Sequence, residues 1–108
     1  MKEQMFYRNS KIELRKEAAK RCLERKFPIQ KLRRMVFGGK WCPHIKENRR
    51  TCVYRNGEKN CYWTIIIAPT KKYIFIITVY KSNYREIKMF KSFDEEWYSK
   101  TERQKKSG

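Results

Sequence analysis

The chain predicts an α+β domain: two N-terminal helices packed on a three- or four-stranded antiparallel sheet, with a short C-terminal helix. Three observations carry this. Apolar residues recur at three- and four-residue steps through the first third of the chain, the period of a helix buried on one side. β-Branched and aromatic residues then crowd the stretch 51–80, as in strands. Between them Asn56-Gly57 supplies the dipeptide most typical of a tight β-hairpin. Helices first and a meander after them put the helices on one face of the sheet. The 108 residues leave room for a single domain, with a core over about 10–91 and a basic tail over 99–108.

Taken in order, Ser10 reads as an N-cap, with Glu13 three residues on as in a capping box. Leu14, Ala18, Ala19, Cys22 and Leu23 form one narrow apolar stripe on the first helix. Pro28 ends that helix and can open the next. Ile29, Leu32, Met35 and Val36 mark the second helix, which Gly38-Gly39 stops. Thr51–Arg55 is a strand, and Glu58–Ala68 is its hairpin partner. The continuous run Ile65-Ile66-Ile67 suits a central strand covered on both sides. Tyr73–Tyr80 follows the turn at Pro69–Lys72. Tyr84–Lys91 reads either as a fourth strand or as a helical turn, and Ser92–Tyr98 as a short helix. The face of the sheet away from the helices is expected to carry the positive charge and the aromatics.

Charge is the strongest functional signal. Twenty-eight Lys and Arg oppose eleven Asp and Glu, a net charge of +17. Solubility of a small domain needs only about 2–8 charges, and the surplus repels itself in the compact state unless a polyanion neutralises it. Sixteen aromatic residues accompany the charge (seven Tyr, six Phe, three Trp). Cations release counterions from phosphates, and rings can stack on unpaired bases, so nucleic acid is the expected ligand, RNA first and DNA second. Lys20, Arg49, Arg50 and Lys81 are the candidate nucleic-acid contacts. Tyr54, Tyr62, Trp63 and Tyr80 are the candidate stacking rings, although alternate ones must face the core. No apolar run reaches the ~20 residues of a membrane span, and Met1–Ser10 lacks the apolar region of a signal peptide. A cytoplasmic protein with no membrane partner is expected.

No Gly-rich phosphate loop and no prominent carboxylate pair occur. His44 is the one histidine. Cys42, His44, Cys52 and Cys61 are four soft ligands of the kind that hold tetrahedral zinc, but the spacing contains no Cys-x2-Cys knuckle. No cofactor is expected; a zinc-stabilised interaction module stands as an alternative. If Asn56-Gly57 makes a two-residue turn, Arg55 pairs with Glu58 and Cys52 lies opposite Cys61. The two would then be a cross-strand disulfide or two neighbouring thiols.

The segment Ala18-x-x-Arg21-x-x-Glu24-Arg25-x-Phe27-x-Ile29, followed by Gly38-Gly39, a hairpin and Ile77-Thr78-Val79-Tyr80, resembles the small toxin-like domains of the barnase–EndoU–colicin–RelE ribonuclease group. The resemblance spans about Glu17 to Lys81. It implies a metal-independent endoribonuclease of toxin–antitoxin or mobile-element type, with an acidic antitoxin-like partner. By position, Arg21 and Arg25 would bind the scissile phosphate, and Thr78 and Tyr80 would complete the site. The family's helix histidine falls at Glu17, which would act as general base on the 2′-hydroxyl. Arg stabilises the charge building on phosphoryl oxygens through a planar fork that Lys lacks. A non-catalytic basic nucleic-acid-binding protein is the alternative reading.

Overall fold

The computed structural model describes residues 3–57 and 61–92. After a 3-10 turn at Glu3–Tyr7, the elements are β1 (Lys11–Leu14), α1 (Lys16–Glu24), α2 (Leu32–Gly38), β2 (Lys40–Pro43), β3 (Arg50–Asn56), β4 (Cys61–Pro69) and β5 (Tyr73–Lys81). A third helix, α3, covers 84–92. The strands form one sheet in the order β1-β5-β4-β3-β2. Every neighbouring pair is antiparallel except β1–β5, which is parallel. The α+β class is as expected, but the sheet is five-stranded and mixed.

The two additional strands lie where the sequence suggested a helix start and, just after Gly38-Gly39, no regular element. Lys11–Leu14 alternates polar and apolar residues and pairs with Tyr73–Ile76. Ser10 is therefore not an N-cap: its hydroxyl donates to the carbonyls of Thr70 (2.7 Å) and Lys71 (2.9 Å), tying the start of β1 to the turn before β5. The N-cap of α1 is Arg15, which makes no side-chain capping bond. Lys40–Pro43 becomes an edge strand against β3. Its indole at Trp41 donates to the Val36 carbonyl at 2.7 Å and so locks β2 to the helix before it.

β4 is the central strand, and Ile65, Ile66 and Ile67 are all buried. One sheet face, carrying Trp41, Cys52, Trp63, Ile65, Ile74 and Val79, packs against Ala18 and Cys22 of α1, Phe27, and Leu32, Met35 and Val36 of α2. Leu23 is not part of that stripe; it stands 75% exposed. The opposite face is not left free. Val53, Tyr62, Thr64 and Ile66 are buried on it, and α3 crosses it with Phe90 edge-on to Tyr62. The segment 84–91 is thus helix rather than strand. The short helix expected at Ser92–Tyr98 and the tail at 99–108 fall almost wholly outside the described residues.

The β3–β4 register also corrects the hairpin. Asn56 pairs with Cys61, and Arg55 with Tyr62, so four residues rather than two connect the strands. Cys52 lies opposite Ile65, four residue pairs from Asn56–Cys61. All four cysteines are free thiols. A β-bulge between Ile66 and Ile67 leaves Ile77 as the extra residue of β5. It restores Val79 to the core face and Thr78 and Tyr80 to the α3 face. No helix among the described residues is long and apolar enough to cross a membrane.

Candidate nucleic-acid interface

The site forms where α1 ends against the upper half of β5. Only Ala18 and Cys22 of α1 are buried, so most of its cationic residues stay in solvent. The helix closes in a Schellman motif. Phe27 N–H bonds the Cys22 carbonyl (2.8 Å) and Lys26 N–H that of Leu23 (3.3 Å). Lys26 accordingly takes the left-handed conformation, φ 54°, at a position where glycine is the usual residue. This closure turns Phe27 into the core and brings Arg25 alongside β5.

Arg25 Nη1 donates to the Val79 carbonyl at 2.5 Å. The ladder explains why that carbonyl is available. Ser82 N–H bonds the Tyr62 carbonyl, so the Tyr62–Ser82 pair is hydrogen-bonded. Alternation along an antiparallel ladder then makes Ile65–Val79 a non-bonded pair. Val79 C=O points away from β4, toward the edge that β1 covers only as far as Ile76. Arg25 supplies the donor that β1 does not. The guanidinium has five N–H groups in a rigid plane. One anchored on a backbone carbonyl leaves the remainder for an anion.

On the other face, Tyr80 Oη donates to Glu86 Oε2 at 2.5 Å. Glu86 is buried, 8% exposed. Its second oxygen accepts the Asn83 N–H (3.0 Å), and its own N–H donates to Asn83 Oδ1 (2.8 Å). This reciprocal pair is the capping box that starts α3. Burial, then the hydrogen bond and charge of Glu86, push the Tyr80 phenol well above its usual range, with Arg25 pulling the other way. The Tyr80 proton is committed to Glu86, so Tyr80 is a donor and not a base at neutral pH.

Of the five residues named for catalysis, Arg25 and Tyr80 both lie at the end of β5, Arg25 on the α1 side and Tyr80 on the α3 side. Thr78 lies one side-chain step below Tyr80 on the same face, opposite Ile66. Arg21 is one helical turn from Arg25, exposed, and paired with Glu24 at 3.2 Å. Glu17 is exposed in the first turn of α1, about 12 Å along the helix axis from Arg25. Glu17 and Arg21 belong to the α1 side of the sheet, Thr78 and Tyr80 to the α3 side, so the five do not converge in one concave site. Glu86 and Asn83 were missed. The signal was present as Asn83-x-x-Glu86, a capping-box spacing.

Lys20 and Lys81 are exposed near this end; Lys81 Nζ lies 6.0 Å from the Trp63 ring. Arg49 and Arg50 lie at the opposite end of the sheet, since Arg50 is level with Ile67 and Ile76 whereas Lys81 is level with Trp63 and Tyr54. Arg50 is held by Glu3 (2.8 Å) and by the carbonyls of Glu47 and Arg49. The four soft ligands are also apart. Cys42 is paired with Thr51, the neighbour of Cys52, so the two thiols face opposite sides of the sheet. Cys61 ends the hairpin, and His44 Nδ1 accepts the Lys46 N–H (3.1 Å). Among the described residues no group of three or more His, Cys, Asp or Glu is placed to hold a metal ion. Burial pushes the Cys42 thiol up to about 11, against the pull of Lys40, and pushes Cys52 up further.

Comparison with protein families, characterised proteins and solved structures finds no match to this chain.

Proposed function

We propose that this protein binds RNA through the phosphate backbone, with the end of α1 and β5 as the principal contact. The net charge of +17 carries the reading. Arg25, anchored on Val79 with donors to spare, is the residue best prepared to take a phosphate; Arg21 one turn before it and Lys26 next to it are exposed, as are Lys20 on α1 and Lys81 at the end of β5. Binding measured by fluorescence anisotropy should weaken steeply with salt, nearly one log unit of affinity per decade of salt for each phosphate neutralised. Arg25→Ala should lower that slope by about one. A salt-independent isotherm would eliminate phosphate binding.

Endoribonuclease activity is the second reading, favoured by one observation: the charge of the Arg25 guanidinium is felt at the half-buried Tyr80 phenol, which is bonded to buried Glu86. In this reading a base removes the 2′-hydroxyl proton, the alkoxide attacks phosphorus while Arg25 stabilises charge on the phosphoryl oxygens, and the P–O5′ bond breaks to leave a 2′,3′-cyclic phosphate, the departing 5′-oxygen taking a proton from a general acid. Incubation of end-labelled RNA with the protein tests it. Cleavage should fall by about 10²–10³ in Arg25→Ala, and Glu17→Gln decides whether Glu17 is the base. An intact substrate with full binding leaves the non-catalytic reading.

A further inference from the structure

We infer that the nucleic acid this protein takes is a duplex held by its phosphates, not a single strand stacked base upon base. The inference rests on the nucleic-acid reading above and names its substrate class. It comes from where the rings are. Thirteen of the sixteen aromatic residues are described; Phe93, Trp97 and Tyr98 lie outside.

Stacking on bases needs open ring faces, one after another along a groove. The described rings do not offer them. Trp63 is 4% exposed with Phe27 edge-on at 5.0 Å. Trp41 is buried, with Tyr7 stacked on it at 5.7 Å. Tyr62 is buried against Phe90. Three half-buried rings already carry a cation on a face: Arg15 on Phe75 at 4.6 Å, Arg33 on Phe37 at 4.8 Å and Lys40 on Phe90 at 4.4 Å. Tyr54 packs against the core, Tyr73 is half-buried with Phe75 tilted against it at 5.8 Å, and Tyr80 is engaged by Glu86.

Two rings stand open, Phe6 at 71% and Tyr84 at 80% exposure. They do not form a platform together. Phe6 belongs to the N-terminal 3-10 turn, which packs through Tyr7 on Trp41 and therefore on the α1–α2 face. Tyr84 begins α3 on the opposite face. The sheet stands between them. Among the described residues the rings thus mostly build the fold and form no stacking platform, while Lys20, Arg21, Lys26 and Lys81 keep their charge on the surface. A cationic surface without a stacking platform recognises backbone and shape, as duplex binders do.

The experiment compares fluorescently labelled RNA and DNA duplexes of 16 base pairs with single-stranded oligonucleotides of the same length at matched salt. The duplexes should bind at least about tenfold more tightly, and Phe6→Ala and Tyr84→Ala should each leave affinity within about twofold, whereas loss of a stacking ring costs on the order of tenfold. Single strands bound as tightly as duplexes would overturn the inference, as would a loss of tenfold or more in either variant. Duplex and single strand both failing to bind at low salt would instead remove the nucleic-acid reading itself, and this inference with it.

Discussion

Gly39→Ala should be among the most damaging small substitutions in this chain, and the reason is space rather than backbone freedom. Gly39 is extended, φ −83° and ψ 177°, a conformation open to any residue. A Cβ there would lie 2.6 Å from Cys52 Sγ and 2.9 Å from both the Met35 and Val53 carbonyl oxygens. Two of these neighbours are main chain, one in α2 and one in β3, and cannot rotate away. The sulfur is fully buried and itself donates toward the carbonyls of Met35 (3.6 Å) and Val36 (3.5 Å). Relief requires α2 and β3 to separate by roughly half an ångström in a close-packed interior. Overpacking of this kind costs about 1–3 kcal/mol, and disturbance of the thiol contacts adds to it. Lower chain entropy in the unfolded state returns about 0.4–1 kcal/mol. A net loss of about 1–3 kcal/mol is expected, a sizeable part of the ~5–15 kcal/mol that holds such a domain together. Urea unfolding followed by circular dichroism measures it, with Gly38→Ala as the companion. At Gly38, in the last turn of α2, the added Cβ meets only the edge of the Tyr54 ring, at an ordinary 3.4 Å from Cε2 and 3.8 Å from Cδ2. That variant should be neutral or gain up to about 1 kcal/mol. Equal midpoints for the two variants would refute the packing account of the α2–β3 contact.

Three further outcomes are expected. Lys26→Gly should raise stability by about 0.5–1 kcal/mol, because relief of the left-handed conformation outweighs the added freedom of the unfolded chain; the same variant should bind RNA more weakly, with a salt slope about one unit lower. Tyr80→Phe should lose about 1–3 kcal/mol in urea unfolding, since it removes the donor to a buried carboxylate oxygen, and should speed hydrogen exchange in α3. For the thiols, Cys42 keeps its proton in the fold up to about 11 against an ordinary 9.0, and Cys22 and Cys52 shift the same way. The unfolded chain therefore ionises first, stability is intact below pH 9 and falls as pH rises toward 11, and the urea midpoint should track that fall. Maleimide at neutral pH should label Cys61 well ahead of the three buried thiols.

The parts of this fold written in local pattern were legible. The Ile65-Ile66-Ile67 run announced the central strand, and Gly38-Gly39 the end of α2. What was hidden depends on partners distant in sequence. Lys11–Leu14 is a strand only because Tyr73–Ile76 lies beside it; alone, Ser10-x-x-Glu13 imitates a helix start. Pro43 and His44 give Lys40–Pro43 the look of a loop, and only the edge of β3 makes it a strand. Asn56-Gly57 correctly marked a reversal, yet the pairing of Asn56 with Cys61 was set by which faces of β3 and β4 could be buried together. At the candidate interface, Arg25 and Tyr80 were named for catalysis only through the family resemblance. The anchor of Arg25 on Val79 depends on a ladder that stops one strand short, and nothing local encodes that.

The parallel pairing of β1 with β5 has a consequence for how the chain comes off the ribosome. β1 is made first but meets its partner about sixty residues later, after β3, β4 and the start of β5 have been synthesised. Helix α1 can form early, whereas Lys11–Leu14 must wait as an unpaired segment through most of translation. Once β5 is made, and until β1 docks, the edge of β5 at Tyr73–Ile76 is an open template to which a strand from another chain could add. The Ser10 hydroxyl, bonded to the turn at Thr70 and Lys71, holds β1 in register once it arrives. Ser10→Ala should therefore slow the last step of refolding and raise aggregation at high protein concentration, with little change in the final sheet; refolding kinetics by stopped flow, together with light scattering, would detect both.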